Sequence, residues 1–70
     1  MNLKDYLDYL GWGNRDLARN ASINDRTASK AIRGEIIRPW VAQRIAAALS
    51  LALKTDILPG DIEDLNIERK

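Results

Sequence analysis

Residues 14–34, NRDLARNASINDRTASKAIRG, carry a helical spacing of apolar side chains that breaks once and then resumes. Leu17, Ala18, Ala21, Ile23, Ala28 and Ala31 fall on inward sides, and the phase survives the interruption at Ser22-Ile23-Asn24. Three residues permit only a tight turn, and Asn24 is a favourable cap for the helix that follows it. The chain must therefore place two short helices at a steep angle. The inward residues are mostly alanine, so the helices have to approach closely to bury anything. On the second helix, Asn24, Asp25, Arg26, Ser29, Lys30 and Arg33 are left on the outward side.

The remaining elements are fitted around this pair. Leu3, Tyr6, Leu7 and Leu10 predict a first helix over 3–10, ended by Gly11 and Gly13 with Trp12 between them. Asn14 is expected to cap the second helix, with Asp16 in its first turn, and that helix to run to about Ala21. The third helix is expected over 25–33, stopped by Gly34. After a loop over 35–38, Pro39 suits the first turn of a fourth helix running from Trp40 through Leu53. Its buried stripe is Val41, Ile45, Ala48, Leu49 and Ala52. Pro59-Gly60 marks a turn, and Asp61 is expected to cap a fifth short helix holding Ile62 and Leu65. No strand is expected. The fold class is all-α, a compact bundle of about five short helices forming a single domain over 1–70. Trp12, Trp40 and Tyr6 are expected in core or loop-anchoring positions, with Tyr9 at the core edge.

Composition narrows the chemistry. Seventy residues with no cysteine and no histidine offer neither a disulfide frame, a thiolate metal site nor a conventional hydrolase triad. A chain this short also encloses little water-free volume, so no enzyme, metal or cofactor is expected. The acids Asp61, Glu63 and Asp64 suit solvation better than catalysis. The run Ile45–Leu53 is too short to span a bilayer, and the N-terminal MNLKDYLDYL carries acids unlike a secretory signal, so a cytoplasmic location is expected. The net charge of +1 hides an asymmetry: residues 14–44 hold seven Arg/Lys against three acids, whereas residues 45–70 hold three against five. The positive charge is concentrated where the outward-facing polar helix lies, as a nucleic-acid-binding face requires.

An α-helix fits the major groove and can present side chains to base edges. On the third helix Asp25, Arg26, Ser29 and Lys30 are the candidate base-reading residues, although an acid at position 25 also stabilises the helix start. Asn14, Arg15, Asn24, Arg33 and Arg38 lie at the ends of the motif and are the candidate phosphate contacts. Arg19 and Arg44 can face either DNA or solvent.

Leu17-Ala18, Ile23, Ala28, Ala31, Arg33-Gly34, Arg38-Pro39 and the run RIAAALSL together resemble the Cro/repressor helix-turn-helix family, also called the xenobiotic-response-element type. The likeness covers roughly residues 3–58. It implies a lambda-repressor-like fold and a transcriptional regulator, most often a phage or mobile-element repressor, in a bacterial or phage-infected cell. It also implies a homodimer on a palindromic double-stranded DNA operator. Ser22 stands where that family favours glycine, and is expected to relax the turn. Ala28 and Ala31 replace branched residues, which brings the third helix closer to the body. Leu7 and Ile32 stand where some relatives bury an Arg–Glu pair, so an apolar contact is expected there.

The segment 51–67 contains Leu51, Leu53, Ile57, Leu58, Ile62, Leu65 and Ile67, more apolar residues than a short tail needs. Either it closes the core of its own subunit or it supplies a dimer interface. Two other readings remain at this point: an antitoxin-like module docking a protein through this segment, and an excisionase-like or architectural DNA-binding protein.

Overall fold

Each apolar stripe of the sequence becomes one wall of a common core. The computed structural model describes residues 1–69 and contains four α-helices: α1 (Leu3–Leu10), α2 (Asn14–Ala21), α3 (Asp25–Ile32) and α4 (Pro39–Leu53). α2 packs chiefly on α3 and α4, and α1 leans on α3. Leu3, Leu17, Ile45 and Leu49 are the largest fully buried side chains. Around them lie the alanines at 18, 21, 28, 31, 42, 46 and 48, all buried, which let the helix axes come together. Ala52, expected on the buried stripe of α4, is exposed, and Ala42 and Ala46 take its share of the contact. Leu7 is buried, and Ile32 packs against the same core, consistent with the apolar contact expected between α1 and α3.

All four helices end by one device. A residue in the left-handed region reverses the chain, and the next amide bonds back five residues: Trp12 to Leu7, Ile23 to Ala18, Glu35 to Lys30, Thr55 to Ser50. Gly11 and Gly34 occupy two of these positions, where a side chain would be strained. Ser22 and Lys54 occupy the other two at φ +57° and +55°. Serine at 22 therefore does not relax the turn as expected. The reversal from α2 to α3 needs that conformation whatever residue supplies it, and the Ile23 amide bond to Ala18 at 2.9 Å holds it there.

The helix starts differ in one respect from expectation. Asn14 is the first residue of α2, not its cap; Gly13 caps, and its amide donates to Asp16 Oδ2 at 2.9 Å. Asn24 does cap α3, its Oδ1 accepting from the Thr27 amide at 2.7 Å. Asn24→Ala is accordingly expected to cost about 1 kcal/mol, and to lower the thermal midpoint by about 4–8 °C in a domain of this size. Asn24→Asp, which keeps the acceptor, should retain most of that stability when both are compared by circular dichroism.

Past α4 the chain departs most from expectation. Among the described residues there is no fifth α-helix; a single 3-10 turn spans Pro59–Asp61. Asp61 turns back to accept the Leu58 amide at 2.9 Å, so it closes the turn and does not open a helix. Ile62 is buried, and after a turn at Glu63-Asp64 the chain comes alongside the 35–38 loop. There Ile37 and Ile67 form an isolated parallel bridge: the Ile37 amide donates to Asn66 at 2.8 Å, and Glu68 donates to Ile37 at 2.7 Å. Asp64, expected to be merely solvated, accepts the first-turn amide of Leu3 at 2.8 Å and ties the tail to α1. Near the C-terminal end of α4, the Ser50 hydroxyl accepts the Ile57 amide at 2.9 Å and lies 2.7 Å from the Ala46 carbonyl. Ile57 is thereby drawn over the core. Among the described residues, no helix is long and apolar enough to cross a membrane.

Candidate nucleic-acid interface

α3 is an eight-residue helix whose two sides differ sharply. Ala28 and Ala31 are fully buried against α2 and its neighbours, while Asn24, Asp25, Arg26 and Arg33 are exposed. Ser29 and Lys30 are half-buried, and so is Thr27, which had not been singled out. Eight residues rise about 12 Å, comparable with the roughly 12 Å width of the B-DNA major groove. With small residues beneath it, the helix packs on the body through Ala28 and Ala31 and presents a polar edge that includes the exposed Arg26. Asp25 is the first residue of the helix, where its charge complements the dipole.

The candidate phosphate contacts lie at the ends of α2, α3 and α4. Asn14 and Arg15 are the first two residues of α2 and both are exposed. Asn24 spends its side-chain oxygen on the α3 cap, which leaves its amide NH2 as the donor available to an anion. Arg33, the residue closing α3, pairs through Nε with Glu35 at 2.7 Å. Arg38, the residue before α4, lies 3.9 Å from the Glu68 carboxylate. Both pairs are largely exposed, and such pairs are worth about 0–1 kcal/mol, so neither arginine is firmly withdrawn from other anions.

Two aromatic side chains lie outside the core, and one of them takes the anchoring role that was the alternative to it. Trp40 is half-exposed and is no core residue. Its ring lies under the Arg44 guanidinium, 5.1 Å from the centroid. Arg44 in turn donates to the Ser22 carbonyl at 2.8 Å, so α4 buttresses the α2–α3 turn through this arginine. Arg44 thus has a structural partner, whereas Arg19 is simply exposed. Tyr9 is also exposed, at 76%, well beyond the core edge, while Tyr6 and Trp12 pack against the core as expected.

The tail is less available than its composition suggests. Ile57 and Ile62 are buried, and Leu53, Leu65 and Ile67 pack against the same core, leaving Leu51 and Leu58 as its exposed large apolar residues. The antitoxin-like alternative required free apolar residues across Ile57–Ile67, and these residues mostly cover the core of their own chain.

Between α3 and the start of α4 lies a hollow of about 300 Å³, lined by Thr27, Lys30, Ile36, Arg38, Trp40 and Glu68 among others. Sequence spacing gave no sign of it, because Glu68 arrives there only through the pairing of Ile67 with Ile37. The chain matches no protein-family model, no curated protein and no solved structure.

Proposed function

We propose that the protein is a sequence-specific double-stranded-DNA-binding transcriptional regulator, a repressor of phage or mobile-element type. In this reading α2 and α3 act as a helix-turn-helix of the lambda-repressor kind. α3 enters the major groove, Arg26 and Lys30 pair with guanine edges, and Ser29 and Asp25 make adaptable polar contacts. Asn14, Arg15, Asn24, Arg33 and Arg38 hold the flanking phosphates. The observation that carries the reading is the asymmetry of α3: buried alanines on one side, exposed cationic and polar groups on the other, beside a sequence region that concentrates the positive charge.

Size favours two copies on one operator. The longest extent of the molecule is 31 Å, whereas successive major-groove faces on one side of DNA are about 34 Å apart. One chain carries one such helix and cannot occupy both. Leu51 and Leu58, the exposed apolar residues of the 51–67 segment, are the contacts such a pair would use.

Selection of bound fragments from random duplex DNA tests the proposal. The expected result is enrichment of a short site, in inverted repeat if two copies bind. Affinity for that site should fall linearly on logarithmic axes as salt rises, through counterion release. Failure to enrich any sequence, with no duplex binding even near ~50 mM salt, where phosphate contacts count most, would remove the proposal.

A further inference from the structure

Glu68 lines the same hollow as Thr27, Lys30 and Arg38, and its backbone is held there by pairing with Ile37. The Glu68 amide donates to the Ile37 carbonyl at 2.7 Å, and the Ile37 amide donates to Asn66 at 2.8 Å. These bonds fix the tail beside the 35–38 loop. Ile37 is itself buried, so the loop is anchored from beneath. The result is a carboxylate positioned 3.9 Å from the Arg38 guanidinium, at the border of the face assigned to DNA.

An anion is therefore already present where the basic edge of α3 meets α4. We propose that this hollow is a seat for a backbone phosphate diester, and that Glu68 is a built-in competitor for it. The inference rests on the DNA-binding reading and adds a regulated contact to it. When duplex docks, a phosphate replaces the Glu68 carboxylate at Arg38, with the Thr27 hydroxyl within the same hollow as a further donor. The exchange trades one exposed ion pair for another, so the competitor lowers affinity modestly and does so for every sequence alike. A tail that can be pulled away or covered would thus raise affinity without touching the base-reading residues.

Anisotropy titrations of a labelled duplex with the full chain test this directly. Glu68→Gln is expected to tighten binding by about threefold, the scale of an exposed ion pair, equally on a selected site and on random duplex. Its salt slope should stay close to that of wild type, because the same number of phosphates is neutralised. In an Arg38→Ala background the same substitution should give no gain, which ties the effect to that pair. Asp56→Asn makes the same change in net charge at an exposed acid beyond the end of α4, and should leave affinity unchanged. If Asp56→Asn tightens binding as much as Glu68→Gln, the effect is one of overall charge and the competitor does not exist. If Glu68→Gln binds as wild type does, the phosphate seat is wrong while DNA binding stands. If no variant binds any duplex, both fall together.

Discussion

Leu49→Ala is expected to strip away much of the stability of this domain, whereas Leu51→Ala, two positions along the same helix, should change almost nothing in the free chain without DNA at concentrations where it stays single. Leu49 is fully buried and Leu51 is 83% exposed, so identical chemistry is removed from opposite environments. A buried leucine truncated to alanine costs about 2–5 kcal/mol, through lost transfer energy and the cavity left behind. A chain of seventy residues has a total of only about 4–10 kcal/mol to lose. The thermal midpoint should drop by on the order of 20 °C, at several degrees per kcal/mol for a domain of this size. Truncating an exposed side chain should stay within about 0.5 kcal/mol. Thermal melts followed at 222 nm measure both. Equal losses would mean that the outer side of α4 is covered. Were the Leu51→Ala loss to grow with protein concentration, a second copy would be what covers it.

How far these features can be read from the chain depends on whether they are local. The existence of all four helices follows from spacing, because Leu3–Leu7, Leu17–Ala21, Ala28–Ala31 and Val41–Leu49 repeat at helical intervals over short distances. Their ends are half legible. Gly11 and Gly34 announce a left-handed residue, but Ser22 and Lys54 adopt the same conformation without any marking, since the need comes from chain reversal and not from residue type. The tail is the least legible. Asp61 precedes Ile62 and Leu65 at plausible helical spacing, yet the segment is drawn out instead to pair Ile67 with Ile37, thirty positions away.

The same division runs through the candidate site. Exposure of Asp25, Arg26 and Arg33 follows from helix phase alone, given that Ala28 and Ala31 point inward. That Lys30 and Thr27 are half-buried does not, because the wall beside them is built by Trp40 and Glu68 from distant parts of the chain. The role of Arg44 was equally hidden: its bond to the Ser22 carbonyl joins residues twenty-two apart and explains why an exposed tryptophan stands at the start of α4.

Arg26→Ala and Lys30→Ala are expected to act on sequence preference, and Arg38→Ala on affinity alone. A bidentate contact to guanine distinguishes that base from others by about 1–3 kcal/mol, so each of the first two substitutions should cost about five- to 150-fold on the selected site. Neither should weaken binding to random duplex by more than the loss of one cation allows. Together they should bring the two affinities close to one another. Arg26 is exposed, and its truncation leaves no cavity, so the protein should melt as wild type does. Arg38, by contrast, touches no base in the proposed arrangement. Its removal should weaken both duplexes alike and reduce the salt slope by about 0.9, the signature of one lost phosphate contact. Binding of the Arg26→Ala, Lys30→Ala double variant to the selected site at wild-type strength would take the reading edge away from α3. A change of preference on Arg38→Ala would instead move base recognition toward the start of α4.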